Sequence, residues 1–243
     1  MNERQDIHNS QVPRICMSCE ARHNGICGVL SDDELVELAN HSIQTQHAPG
    51  EELIGDDTEI EYYATILRGV VKLSKVLEDG RQQVVGLQFA PDFLGRLFAT
   101  HNALNADAAS DVRLCRLPRS SLEQMLQKSP ALEDRIFNQT LRELDEAREW
   151  MVTLGQKTAS EKVASFLYLI ALHAVPQNDN ADAQEELHFD LPLSRTDIAD
   201  FLGLTIETVS RQMTKLRSAK VVDVTNHRHI QIQNIDRLRK LCG

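Results

Sequence analysis

Several features that would assign this chain to a membrane, secreted or enzymatic class are missing from its 243 residues. No apolar run is long enough to cross a bilayer, and the polar start lacks the apolar core of a secretory signal. We therefore expect a cytoplasmic protein without membrane attachment. Phosphate-loop, dinucleotide-binding, zinc-protease and serine-hydrolase motifs are also missing. These absences favour a protein that is not an enzyme.

Cysteine is scarce, and its five copies do not predict a disulfide framework, because the number is odd and cytoplasmic thiols stay reduced. Cys16, Cys19 and Cys27 fall within a loop-like stretch of twelve residues, which is typical of a metal site. Cys115 is the candidate fourth ligand, because the alternation of its predicted strand does not commit it to the core. Cys242, beside the last residue, is expected to be a bystander.

Four thiolates fit two kinds of metal centre, a tetrahedral zinc ion and a [4Fe–4S] cluster. Zinc sites usually contain two Cys-x2-Cys pairs and this chain has one, so the spacing favours the cluster. A zinc site and thiols without a metal stay open on spacing alone. An iron–sulfur or zinc enzyme, or an electron carrier, is a further alternative. An enzyme would need an acid–base group near the metal, and His23 lies inside the cysteine segment, although a loop histidine is more often solvated than catalytic.

The chain lacks an overall excess of basic charge, since its net charge is −10. The charge is unevenly distributed, because residues 192–243 contain nine Lys/Arg and only five Asp/Glu. An acidic body with a basic C-terminal part favours local contact with phosphates. The alternative interpretation is a solvated basic face.

The middle of the chain predicts a small β-barrel or sandwich. Residues 62–67, 70–77, 82–89 and 111–117 are rich in β-branched and aromatic side chains and are separated by turn residues. Many short strands at regular spacing are typical of barrels and sandwiches.

Capping-box patterns flank the strand region. Ser31 with Glu34 predicts the start of one helix, and Ser120 with Glu123 predicts another. A long helix over residues 131–154 follows, with a narrow apolar seam that packs either on its own domain or on a second subunit. We favour the subunit contact, because charged side chains surround a stripe only one residue wide. The predicted dimer interface consists of Ile136, Thr140, Leu144, Ala147, Met151 and Leu154.

The basic C-terminal part has the pattern of a winged helix-turn-helix. Ser194 predicts the cap of a first helix, Gly203 predicts the turn, and a second helix begins near Thr205. Alternating residues 221–225 and 229–233 predict a hairpin wing. A plain helical hairpin with exposed charges is the alternative. The predicted DNA-binding residues are Glu207, Thr208, Ser210, Arg211, Lys215 and Arg228.

These residue types suit double-stranded DNA. Arg211 suits guanine O6 and N7, Glu207 suits cytosine N4, and Ser210 suits several base edges. Lys215 suits phosphates, which fix the register without reading sequence. One such helix reads only a few base pairs, so a homodimer on two half-sites is expected.

The order of β-barrel, long helix and winged helix, with the recognition sequence 207–211, resembles the CRP/FNR regulators over residues 12–235. Residues 145–151 and 190–193 resemble the FnrL- and FnrN-like oxygen sensors of α-proteobacteria. This resemblance implies an α+β fold with a β-roll like that of cyclic-nucleotide-binding proteins. It also implies a long dimerisation helix, a C-terminal winged helix-turn-helix, reading of TTGAT-type half-sites, and contact with RNA polymerase.

The resemblance further implies a [4Fe–4S] cluster on the four cysteines and molecular oxygen as the signal. In this interpretation the cluster forms without oxygen and promotes dimerisation and DNA binding, which controls genes of anaerobic or microaerobic metabolism. The chain departs from the cyclic-AMP branch, because Gly95 is followed by Arg96 and residues 100–110 contain no basic residue except His101. A cyclic-nucleotide effector is therefore not expected.

The sequence predicts four consecutive parts. Residues 1–30 carry the cysteine cluster, residues 31–128 form the β-roll sensor, residues 129–155 form the dimerisation helix, and residues 156–243 bind DNA.

Overall fold

The computed structural model describes residues 12–19, 21–174, 186–226 and 228–243. Within them the chain divides into two compact units. The first unit comprises Met1–Lys75 and Leu87–Leu144, and the second comprises Val76–Gly86 and Asp145–Gly243. The division therefore falls inside the predicted long helix.

Most of a β-roll lies in the first unit, and the roll consists of two four-stranded sheets with strand orders β1-β8-β3-β6 and β2-β7-β4-β5. Apolar side chains from both sheets, among them Ile66, Val71 and Leu114, form one buried core. The sequence predicted four of these strands to within about one residue at each end. The strands are β1 Ile43–His47, β2 Glu52–Ile54, β3 Tyr62–Arg68, β4 Val70–Val76, β5 Gln82–Phe89, β6 Phe93–Leu94, β7 Asn105–Ala108 and β8 Val112–Pro118.

The cysteine segment is more regular than the sequence predicted. It consists of two short helices, α1 Arg14–Met17 and α2 Ala21–Asn24, and a 3-10 turn, Ile26–Val29. The loop-like assignment was therefore wrong for these residues, while residues 1–11 lie outside the described part. Each helical piece has four residues, which is too short to show apolar periodicity in a sequence.

Two helices on either side of the strands begin in different ways. Helix α3, Asp32–His41, starts at the predicted capping box of Ser31 and Glu34. The predicted box at Ser120 is wrong, because α4 begins one residue earlier, at Arg119, after Pro118 as its uncapped N-cap. The bounds of α4 are Arg119–Lys128.

Helix α5 spans Pro130–Gln156 and presents different faces along its length. Ile136 is only 4% exposed and packs in the core of the first unit, so it is not available to a partner subunit. Phe137, the next residue, is 60% exposed, and Met151 is 71% exposed.

The second unit contains the predicted winged helix. Ser194 and Asp197 form a capping box at the start of the first helix, and Gly203 ends it with a φ of 59°. The hairpin of β10 and β11 is joined by β9 into a three-stranded sheet. Residue 227, at the tip of the predicted wing, lies outside the described residues. The elements are α6 Ala159–Ala174, β9 Leu187–Asp190, α7 Arg195–Leu202, α8 Ile206–Ser218, β10 Val222–Thr225, β11 His229–Ile232 and α9 Ile235–Arg239.

Candidate functional site

Four cysteines that are far apart in sequence line one cavity in the first unit. Cys16 and Cys19 come from α1 and the residue stretch after it, Cys27 from the 3-10 turn, and Cys115 from β8. The cavity is narrow, with a volume of about 30 Å³, and it is partly open to solvent. The structure thus brings together the four residues that the sequence predicted as ligands.

The position of Cys115 follows from its place in the middle of a sheet. Its strand β8 lies between β1 and β3, and Cys115 pairs with Gln44 on one side and Thr65 on the other. Directly opposed residues of antiparallel strands project from the same face. Gln44 and Thr65 therefore line the cavity together with Cys115.

Burial raises the pKa of three thiols of this cavity, those of Cys16, Cys27 and Cys115, and favours their protonated form when no cation is present. Burial first and the neighbouring cysteines second raise the pKa of Cys27 to about 12, with Arg22 acting in the opposite direction. Burial likewise raises the pKa of Cys115 to about 11, while a hydrogen bond with Ser42 acts in the opposite direction. A bound metal centre would favour the ionised thiolates instead, because its positive charge stabilises the thiolate and the coordinating thiol releases its proton to solvent.

Other residues shape the cavity and were missed by sequence analysis. Arg22 lines it and forms an ion pair of 3.6 Å with Asp32. Gly28 follows Cys27, and a Cβ atom at this position would lie only 2.5 Å from the carbonyl oxygen of His23. The tight turn at Cys27 therefore requires a residue without a side chain. Neither role has a sequence signal, because each depends on a tertiary contact.

The chemistry of the donor set fits a thiolate-bound metal centre. Cysteine sulfur is the ligand of both iron–sulfur clusters and structural zinc. All four cysteines share one cavity, although within the described ranges no three His, Cys, Asp or Glu side chains converge closely enough to hold a single metal ion. Cys242 lies in the second unit, where its Sγ donates to the carbonyl oxygen of Leu238 at 3.4 Å.

The cysteine segment contacts the start of α5. Val12, Ile26 and the α5 residues Leu132 and Ile136 belong to the same buried cluster. The guanidinium of Arg135 donates a hydrogen bond to the carbonyl oxygen of Asn24. A displacement of the cysteine segment would therefore alter the packing and the hydrogen bonding of α5 directly.

The exposed apolar seam of α5 differs from the predicted interface in its first member, which is Phe137 and not Ile136. Residues at alternating spacings of three and four form the a and d positions of a coiled coil. The series that begins at Phe137 has these spacings throughout and consists of exposed or half-buried side chains. Its members are Phe137, Thr140, Leu144, Ala147, Met151 and Leu154.

The recognition helix α8 presents the predicted polar side chains on its outer face. Glu207, Ser210, Arg211 and Lys215 are exposed, while Val209 on the opposite face is buried. Hydrogen bonds from its own backbone N–H and from Thr205 lower the pKa of Glu207, so the carboxylate is ionised at neutral pH. An ionised carboxylate is an acceptor for the amino group of cytosine.

Thr208 has a role within the helix. Its backbone N–H donates to the Thr205 hydroxyl at 3.2 Å, which caps α8. Its own hydroxyl accepts a long hydrogen bond of 3.5 Å from Nη2 of Arg211. Thr208 thus orients an arginine that faces outward from the helix.

A second cavity lies between α8 and the wing. Ser210, Thr214 and Arg217 of the helix line it opposite Asn226 of the wing. The sequence prediction did not name Thr214 or Asn226 as DNA-binding residues. Arg228, at the far end of the wing turn, is exposed as expected.

A β-roll, a helix with an exposed apolar seam and a winged helix with an outward polar face define a DNA-binding transcription regulator. A cyclic nucleotide-binding domain model matches residues 44–129, and a Crp-like helix-turn-helix domain model matches residues 161–241. The chain belongs to the CRP/FNR family of transcription regulators, whose members are not enzymes.

Similar proteins match nearly the whole chain. A probable transcriptional activator of Rhizobium leguminosarum bv. viciae is 51% identical over 99% of this chain and 98% of its own length. Transcriptional activator protein FnrL of Cereibacter sphaeroides is 37% identical over 96% of this chain and 95% of its own. The solved structure of FixK2 from Bradyrhizobium japonicum matches with a TM-score of 0.74 and 31% identity, over 83% of this chain and 98% of that one.

Among the described helices, none combines the length and the apolar character that a bilayer crossing requires.

Proposed function

We propose that this protein is an oxygen-responsive transcriptional activator that binds DNA as a homodimer when a [4Fe–4S] cluster occupies the cysteine cavity. The observation that carries the proposal is the convergence of Cys16, Cys19, Cys27 and Cys115 on one cavity. The match to FnrL supports the proposal, because it covers 96% of this chain. The residues that it leaves out are too few to contain the whole cysteine segment, so the match includes at least part of that segment.

The chain supplies four thiolates and a partly closed environment. When bound, the cluster supplies an oxygen-labile link among these thiolates. Cys115 is fixed by β1 and β3 on its two sides, while the other three ligands belong to the cysteine segment. The four residues together hold residues 12–30 against the β-roll.

The cysteine segment acts on α5 through contacts already described. Ile26 and Leu132 share a buried cluster, and Arg135 bonds to Asn24. Holding the segment in place thus fixes the start of α5. Without the cluster these four cysteines would no longer be linked, and the segment would not support the start of the helix.

The homodimer forms along the a and d positions from Phe137 to Leu154. Apolar side chains at these positions are exposed in a single chain and are buried when two helices pair. Charged neighbours such as Arg142 and Glu149 keep separated chains soluble.

The dimer places two α8 helices on the half-sites of a palindromic, TTGAT-type site. Glu207, Ser210 and Arg211 read base edges, whereas Lys215 and Arg228 contact phosphates. Activation then requires RNA polymerase as a further partner, which the DNA-bound dimer contacts in the cytoplasm.

The test is anaerobic purification followed by an absorption spectrum, iron and sulfide analysis, and a DNA-binding assay before and after exposure to air. Cys19→Ser and Cys115→Ser are expected to lose the cluster, the dimer and specific binding at the same time. Cys242→Ser is the matched control, because this buried cysteine does not line the cavity, and it is expected to behave like the unmodified protein.

Each contrary outcome removes a defined part of the proposal. Zinc at one ion per chain with no iron would replace the oxygen sensor by a zinc-stabilised regulator. Metal-free protein that binds its site equally well in air and without air would leave a DNA-binding regulator with no cluster. Failure to bind any duplex in a salt-dependent manner would contradict the DNA-binding role itself.

A further inference from the structure

Thr65 has a buried hydroxyl that the β-roll leaves without a partner. The side chain is only 4% exposed, and its Oγ1 makes no hydrogen bond within the described part of the chain. A buried hydroxyl of this kind destabilises the fold, because it has given up water without gaining another partner. Such a group calls for an explanation at its own position.

The position of this hydroxyl is the wall of the cysteine cavity. Thr65 lies on β3 directly opposite Cys115, and both residues line the cavity. The hydroxyl of Ser42 also lines the cavity, but it already has partners, the carbonyl oxygen of Ala39 at 3.1 Å and the Cys115 thiol. Thr65 is therefore a second hydroxyl beside Cys115, and it is the one that has no partner among the described residues.

We infer that Thr65 is a positioning residue for the cluster and that its hydroxyl donates a hydrogen bond to a sulfur of the bound cluster, the Cys115 thiolate or the sulfide next to it. This inference rests on the proposed function. Hydrogen bonds to the sulfurs are one of the features that set the reduction potential of such clusters. A bonded sulfur is less electron-rich, so the bond slows attack by oxygen and stabilises the reduced form.

The test compares Thr65→Val, which keeps the side-chain shape and removes the hydroxyl, with Thr65→Ser, which keeps the hydroxyl. Both variants and the unmodified chain are reconstituted anaerobically with iron and sulfide. Three quantities are measured: iron per chain, the reduction potential, and the rate of absorbance loss in air-saturated buffer. The thermal midpoint of each metal-free protein is recorded in parallel.

Ser74→Ala serves as the matched control. Ser74 is 1% exposed and its Oγ also lacks a partner among the described residues, but it lies on β4 and does not line the cavity. Removing either hydroxyl is expected to leave the metal-free protein as stable as before or slightly more stable, because an unpaired buried polar group disappears.

Only Thr65→Val is expected to alter the loaded protein. Its absorbance should decay about fivefold faster in air, as the loss of one hydrogen bond predicts, and its potential should shift to more negative values. Thr65→Ser should restore both properties. Equal behaviour of Thr65→Val and the unmodified chain, or an equal change on Ser74→Ala, would overturn the inference.

The inference and the proposed function fail in different ways. An unmodified chain that takes up no iron–sulfur cluster contradicts the proposed function, and the role of Thr65 falls with it. An unmodified chain that loads normally, beside a Thr65→Val variant with the same potential and decay rate, contradicts the role of Thr65 alone.

Discussion

Glu207 and Arg211, which we propose to contact base edges, both make hydrogen bonds within α8 or at its start before any DNA is present. The pKa of Glu207 is lowered by hydrogen bonds at the start of α8, and Arg211 is oriented by Thr208. Lys215 is exposed and suits a phosphate, which a flexible point charge contacts well. In the proposed interface, Glu207 and Arg211 would therefore read sequence, while Lys215 would contact the phosphate backbone.

This difference predicts two distinct binding defects. Arg211→Ala should cost about 1–3 kcal/mol on the preferred site and relax the preference at one base position. Lys215→Ala should weaken specific and nonspecific binding alike and reduce the slope of log K against log salt by about 1. Titrations of a labelled site and a scrambled duplex at several salt concentrations measure both. The same salt slope for the two variants would contradict the assignment.

At the residue scale, the sequence was informative where chemistry is carried by spacing. The Cys16, Cys19 and Cys27 series pointed to a ligand set, and strand alternation left Cys115 available to join it. Sequence analysis could not find Thr65, because its significance is that its hydroxyl meets no partner in the part of the chain that the structure describes. The prediction of a capping box at Ser120 was also wrong, because the carboxylate of Glu123 bonds to other side chains. Glu123 accepts from the hydroxyl of Tyr63 at 2.8 Å and from Arg119 at 2.9 Å.

At the scale of elements, helix α5 shows why a seam is hard to locate from one sequence. Ile136 and Phe137 are adjacent and both apolar, and a helix turns by about 100° between them. Only the packing of Ile136 with the cysteine segment and the β-roll decides which of the two faces outward. The strands were easier to predict, because Gly and Pro mark their ends locally.

The contact of α5 with the cysteine segment predicts a variant that separates sensing from response. Arg135→Ala removes the hydrogen bond to Asn24 and leaves every cavity-lining residue in place. We expect normal iron content and absorbance together with a dimer at least several-fold weaker, measured by anaerobic sedimentation.

Arg142→Ala is the control for this variant, because Arg142 is exposed on the same helix and lies outside the a and d positions. It should dimerise like the unmodified protein. Loss of the cluster in Arg135→Ala would show instead that this arginine supports the cavity and not the connection to the helix.

For the whole molecule, the order of β-roll, long helix and winged helix was predictable, because each part has its own periodicity and turn residues. The homodimer was expected from the apolar seam of the long helix and from the few base pairs that one recognition helix reads, and the resemblance to the CRP/FNR family implied it as well. DNA recognition by a homodimer depends on both copies, because one α8 helix contacts only a few base pairs.

Leu144→Glu tests the dimer at this scale. A carboxylate at a central a position would be buried without a partner in the paired helices, so association should weaken by more than tenfold. Binding to the two-half-site duplex should fall with it, while the far-ultraviolet spectrum of the monomer stays unchanged.

Val152→Glu provides the comparison, because it also replaces an exposed apolar side chain of α5 by glutamate but lies off the seam. Sedimentation and DNA titration should leave it close to the unmodified protein. Equal loss in both variants would place the interface on another face of the helix.

The four cysteines that line the cavity come from two kinds of secondary structure, a strand of a sheet and short helical turns. Cys115 belongs to β8, an inner strand of a four-stranded sheet, so β1 and β3 hold the backbone around it by hydrogen bonds on both sides. Cys16, Cys19 and Cys27 belong to turns of four residues or to their ends. Deuterium uptake followed by mass spectrometry should therefore change on exposure to air in peptides from residues 12–30 and the start of α5, while the β8 peptide keeps its slow exchange.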